Sequence, residues 1–327
     1  MLQHPGNGIL RQACHTSGTR SPSQNALLYP ERVHKQGDRL RQGLFLRFIL
    51  SGLGNWYRSW KLIQEAVPVA DELGFWGMTL PDHYMWGEDR GGNSSLETWV
   101  ALTYLAARTR QIKLGTLVTP IPFRPPGVLA KMAATHDVLS SGRTILGVGA
   151  GWSRTEFEGY SEWVDPRTRV DKTDEGVRLI LRLWQEPTVD FHGKFYTAKG
   201  AVLEPKPVQK PHPPLLFGGI GTRMLRMAGR YGDICFIPQW VKMPIEKARA
   251  IVTQEAKRAG RHNKVSFAVG SPVHRNQKFD MKAVEQSVQK AAESDYLYYV
   301  IPFLQEGFTE NMREFAKQVM PSYTGLN

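Results

Sequence analysis

The feature that most constrains this chain is an alternation. Short apolar runs are each followed by a segment with helical apolar spacing, and the unit recurs eight times between residues 43 and 327. The runs at 44–50, 75–80, 112–119, 144–149, 215–219, 233–237, 265–270 and 297–301 read as buried strands. Trp60, Ile63, Val67, Ala70 and Leu73 mark one helix face, with Pro68 expected to kink the helix and Gly74 to end it. Further helices are predicted over 96–108, 128–140, 171–185 and 222–230. Another opens near Pro244 and closes before Gly260, the next is capped by Asp280, and the last spans 309–320. Residues 186–214 break the pattern and read as a hairpin and an extended arm over the barrel top. Strands that alternate with helices build a parallel sheet, and eight units in this length favour closure over a doubly wound sheet. The predicted fold is therefore α/β, a (β/α)₈ TIM barrel over 43–327 with an insertion after its fourth unit.

Residues 1–42 have no such periodicity. They carry six basic residues against two acids and no apolar core of a secretory signal. They read as a disordered or non-native N-terminal extension, with an arginine-rich transit peptide as the other reading. The whole chain has a net charge of +12, but without a basic run or helical stripe, which points to an anionic small molecule and away from nucleic acid. No apolar stretch approaches the ~20 residues of a membrane span. Cys14 and Cys235 are too few for a disulfide framework or a metal cluster and suit a reducing compartment, so the expected location is cytoplasmic.

In a barrel, chemistry sits where strands end. After the second strand comes Pro81-Asp82-His83-Tyr84-Met85-Trp86, an acid, an imidazole able to move a proton near neutral pH, and an indole able to wall a ligand. A capped loop with a satisfied histidine is the plainer alternative. Gly218-Gly219-Ile220-Gly221-Thr222 joins the fifth strand to a helix and is a candidate phosphate cradle, because a helix N-terminus offers unpaired N–H groups and a positive dipole end. A tight turn is the plainer reading there, and the lysine of a P-loop is absent. Gly149, Gly151 and Trp152 close the fourth strand and read as close backbone approach to a ligand, with the indole as lid or wall. His136 reads as a buried structural histidine. No metal-ligand spacing and no nucleophile elbow occur.

These stretches, in order, resemble the bacterial luciferase-like monooxygenase superfamily. The most specific block runs from Ile112-Lys-Leu-Gly-Thr-Leu-Val-Thr-Pro through Phe123-Arg124-Pro125, Ala130–Thr135, Asp137–Ser140 and Gly142-Arg143 to Gly149–Trp152, and Pro205–Pro214 resembles that family's insertion arm. The resemblance implies a barrel that binds FMN or its deazaflavin relative, coenzyme F420. Asp82-His83 is similar to the strand-two pair of the deazaflavin branch, which implies that His83 handles the proton and Asp82 orients it. A bulge or non-proline cis peptide behind the ring maps to Leu117–Val118, the phosphate to Gly219–Thr222, and the substrate pocket to Trp86 and Trp152. Sugar-phosphate dehydrogenases of this fold have an acid where Trp152 stands, which argues against that activity. The expected function is hydride transfer between F420 and an organic small molecule. An FMN-dependent monooxygenase served by a flavin reductase and a flavin-binding barrel without turnover are the alternatives, and the family resemblance leaves a homodimer open.

Overall fold

A computed structural model describes residues 45–51, 60–86, 93–238, 242–271, 279–302 and 307–324. The extension expected over 1–42 lies outside the described residues.

Eight strands form the barrel: β1 (Arg47–Leu50), β2 (Gly77–Leu80), β3 (Lys113–Thr116), β4 (Thr144–Gly149), β5 (Leu215–Phe217), β6 (Ile234–Ile237), β7 (Ser266–Gly270) and β8 (Tyr298–Ile301). Each pairs in parallel with its sequence neighbour, and β8 returns to β1 through Arg47 opposite Tyr298. The sheet is closed as predicted. β4 is buried along its whole length, as a strand covered on both faces must be. Ile49, Ile145, Leu216, Ile234, Ala268 and Val300 fill the interior. A larger apolar layer between strands and helices includes Phe48, Leu146 and Phe217.

Helices over Trp60–Glu72, Thr98–Ala107, Pro126–Leu139, Pro166–Gln185, Thr222–Tyr231, Ile245–Arg258, Met281–Glu293 and Phe308–Gln318 follow the strands. The first runs through Pro68 without interruption. Asp280 caps its helix as expected, accepting from the Ala283 N–H. Asp165 caps the helix at Pro166 by accepting from the N–H groups of Arg167 and Thr168, so this helix starts five residues before the expected Asp171. Among the described residues no helix is long and apolar enough to cross a membrane.

Two expectations need correction. The third strand is not continuous over 112–119: after Thr116 the Leu117–Val118 peptide is cis, and Thr119–Pro120 resumes pairing with Val148 and Gly149. The insertion does form a hairpin, Val189–His192 with Thr197–Ala201, tied down by Glu175, which accepts from the N–H groups of Lys194, Phe195 and Tyr196. Its arm, however, does not cross the barrel top. Gln209 donates to Asp137 and to the Thr144 carbonyl at the start of β4, and Lys206 donates to Leu183 and Glu186 at the end of its helix. The reason is topological: a helix that follows a parallel strand ends beside the strand's N-terminal end, and β5 must begin there too.

The family-like block from Asp137 to Arg143 serves the same end of the barrel. Arg143 is buried and donates to the carbonyls of Ala106, Thr109, Ile112 and Ser140. His136 is buried as expected, its Nδ1 2.7 Å from Thr144 Oγ1.

Candidate active site

β2 ends at Leu80, and the next turn carries Asp82 and His83 under the C-terminal rim. Both are buried, Asp82 completely. They are adjacent in sequence, yet they have different partners. Arg124 grips Asp82 with two hydrogen bonds, Nη1 to Oδ2 at 2.8 Å and Nη2 to Oδ1 at 3.0 Å. Thr119 Oγ1 donates to the same Oδ2 at 2.8 Å. Arg124 also pairs with Glu97, whose other oxygen caps the following helix at the Val100 N–H. Burial works against the guanidinium charge, but Asp82, its hydrogen bond, Tyr84 and Glu97 outweigh it and hold Arg124 above its ordinary range.

His83 is held by a different acid. Its Nδ1 lies 2.7 Å from Oε2 of Glu156, a carboxylate 1% exposed. Oε1 of Glu156 accepts from the backbone N–H groups of Tyr84 at 2.8 Å and Met85 at 3.3 Å. The expectation that Asp82 orients His83 is thus replaced. Asp82 faces Arg124 and Thr119, while Glu156 reaches back from a short helix, Arg154–Tyr160, which the sequence reading did not separate from its surroundings. The turn before that helix needs Gly151, whose φ is +78° and where a Cβ would come within 2.5 Å of the Phe157 ring. Phe157 packs on Phe123 at 4.5 Å between centroids, and Phe123 stacks on Tyr84 at 5.1 Å. This aromatic layer fixes the helix against the β2 turn. Burial, with Asp82, Glu97 and Glu156 nearby and Arg124 opposing, pushes the Tyr84 phenol up to about 12, so it stays protonated.

Trp152 sits at the rim, 67% exposed, with its ring edge-on to His83 at 5.9 Å between centroids. The backbone of Trp86 pairs with Asn93, and its side chain lies outside what the structure describes. The cis Leu117–Val118 peptide packs against two of the rim glycines. A Cβ at Gly149 would come 2.5 Å from Val118 Cγ2, and one at Gly218 would come 2.7 Å from Val118 Cγ1. The room left by Gly149 and Gly151 is therefore taken by Val118 and Phe157, which ties both to packing around the rim.

The predicted cradle follows Gly218. Gly219, Ile220 and Gly221 lead into the helix at Thr222, where Gly221 is the N-cap and supplies no side-chain acceptor. The first intrahelical bond runs from the Leu225 N–H to the Gly221 carbonyl, so the N–H groups of Thr222, Arg223 and Met224 have no partner in the helix ladder. A Cβ at Gly221 would meet nothing within 4 Å, so the space in front of these donors is open. That arrangement fits a phosphate. Among the described residues no group of three or more His, Cys, Asp or Glu could hold a metal ion.

Sequence reasoning missed Glu156, Arg124, Thr119 and Glu97 as parts of the site. Arg124 was visible only as a piece of a family-like motif, and Glu156 carried no signal beyond an acid four residues after Trp152.

A buried, carboxylate-held histidine on the C-terminal rim of a closed barrel, beside an uncapped helix N-terminus, places this molecule among barrels with a catalytic-type rim. The chain belongs to the luciferase-like monooxygenase family, whose model matches residues 40–320. It is 35% identical over 207 residues to an F420-dependent glucose-6-phosphate dehydrogenase of Nocardia farcinica (strain IFM 10152), a match that covers 62% of this chain and 60% of that protein's length. Its fold is similar to an F420-dependent secondary alcohol dehydrogenase in complex with an F420-acetone adduct, at a TM-score of 0.72 and 20% identity over 85% of this chain and 99% of that one. It is also similar to a monooxygenase from Streptomyces bottropensis, at a TM-score of 0.70 and 20% identity over 84% and 99%.

Proposed function

We propose that this protein is an oxidoreductase that transfers hydride between coenzyme F420 and an organic small molecule. The observation that carries the reading is the pairing of His83 with buried Glu156 at 2.7 Å, on the same rim as an open, uncapped helix N-terminus. The F420-dependent activity of the Nocardia farcinica relative supports the choice of coenzyme.

The residues divide the work. The N–H groups of Thr222, Arg223 and Met224 and the positive end of their helix hold a phosphate. The net charge of +12 attracts a coenzyme that carries a phosphate and a carboxylate tail. Asp82, saturated by Arg124 and Thr119, sets the floor beside His83. A deazaflavin held by that helix N-terminus would supply hydride, one proton with two electrons. Reduction of a carbonyl then needs one further proton at oxygen, and His83 delivers it; in the reverse direction His83 accepts it. Trp152 covers the substrate side and excludes water.

Fluorescence titration with F420 and with FMN tests the reading. Saturable quenching by F420 with weak FMN binding is expected. Tight FMN binding without any F420 response sinks the proposal and turns the assignment to an FMN monooxygenase, the activity type of the Streptomyces bottropensis neighbour.

A further inference from the structure

We infer that Glu156 is the positioning residue of His83: its carboxylate fixes the imidazole as the Nδ1–H tautomer and leaves Nε2 as the atom that exchanges the proton. The inference rests on the reading of His83 as the proton-moving group, and it adds to the site a residue 73 positions away in the sequence.

The partner of Nδ1 is a carboxylate oxygen of Glu156, not of the adjacent Asp82. Asp82 has its two oxygens engaged by Arg124 and Thr119. Glu156 has one oxygen engaged by two backbone N–H groups, which can only donate, and the other 2.7 Å from Nδ1. A carboxylate brings no donor of its own, so the hydrogen shared with His83 sits on Nδ1. A neutral imidazole has one N–H and one bare nitrogen. With Nδ1 protonated, Nε2 is the nitrogen that accepts a proton, and the imidazolium that results keeps its charge beside Glu156. The opposite tautomer would carry its hydrogen on Nε2 and could accept nothing there. The same carboxylate also grips the backbone of the two residues after His83, so it sets the ring's position as well as its protonation pattern. It can do so only because Gly151 turns the chain and Phe157 anchors the short helix, which brings residue 156 to a turn 73 positions earlier.

Glu156→Gln separates the two effects. The amide oxygen can keep accepting from the Tyr84 and Met85 N–H groups, while its NH₂ must donate to Nδ1 and so forces the Nε2–H form. Two-bond ¹H–¹⁵N correlations on histidine-labelled, coenzyme-free protein at pH 8 read the tautomer directly, with His83→Gln identifying the signal among nine histidines. The expected result is Nδ1–H in the wild type and Nε2–H in Glu156→Gln, with F420 affinity changed less than about threefold, under 1 kcal/mol. An Nε2–H wild type overturns the inference even if the variant fails to fold, and an unchanged tautomer in a folded variant overturns it too. If the tautomer switches but F420 does not bind the wild type, Glu156 keeps its positioning role and the proposed coenzyme falls.

Discussion

Removal of Arg124 should leave the buried Asp82 carboxylate without its ion-pair partner. Asp82 is fully buried and Arg124 is 8% exposed, so neither charge has much water to fall back on. In Arg124→Met the Oδ1 of Asp82 loses its 3.0 Å donor, Oδ2 loses one of two donors at 2.8 Å, and the charge is left unpaired. A pair at about 4 Å with an effective dielectric of 20 interacts by about 4 kcal/mol. Breaking a buried pair from one side costs about 3–5 kcal/mol. Asp82→Asn should cost less, about 1–3 kcal/mol, because Arg124 keeps Glu97 and the amide oxygen can still accept. The double variant then recovers part of the loss, since the uncompensated charge is gone. Urea unfolding at pH 7, followed by both fluorescence and circular dichroism to check that the transitions coincide, gives the three free energies. A coupling of about 2 kcal/mol is expected. Single effects that add to within about 0.5 kcal/mol would refute the argument, because they would mean that Asp82 does not depend on Arg124 for its charge.

Two further outcomes follow from the structure. Burial pushes the His136 imidazole down to about 4 from its ordinary 6.5, so the native state stays neutral where the unfolded chain takes up a proton. Its contribution is complete above pH 6.5 and is lost as pH falls towards 4, by about 3 kcal/mol at 1.36 kcal/mol per unit; His136→Leu should flatten that part of the stability profile, and an unchanged slope between pH 6.5 and 4 would disprove it. Gly221 has an ordinary φ of −74° and open space where its Cβ would be. Gly221→Asp should therefore cap the helix, leaving stability equal or up to about 1 kcal/mol higher, while weakening F420 about tenfold or more by placing a carboxylate where the phosphate belongs; unchanged F420 titration would show that the phosphate lies elsewhere.

How much of this was legible beforehand depends on distance along the chain. β4 was readable to the residue because a strand buried on both faces is a continuous apolar run. The interruption of the third strand at Leu117–Val118 was not readable from apolarity, which continues through the cis peptide; only the family resemblance pointed to it. The pair Asp82-His83 was found because it follows a strand. Its partners were not, since Arg124 lies 42 residues away from Asp82 and Glu156 lies 73 residues away from His83. The helix that carries Glu156 has seven residues, too few to show a periodic face. The arm at Pro205–Pro214 was recognised as an arm but assigned to the wrong end, because composition marks a loop without saying where its ends are tied.

By itself the sequence determined the barrel, the order of its strands and the two glycine-rich or acid–imidazole turns on its rim. These follow from local rules: apolar period, capping residues and backbone freedom. The tertiary structure decided which acid serves which base. Adjacent residues in a turn diverge, and a buried carboxylate is satisfied by whatever donors closure of the barrel brings to it. So Asp82 went to Arg124 and Thr119, His83 went to Glu156, and that division could only be seen once β2, β3 and β4 stood side by side.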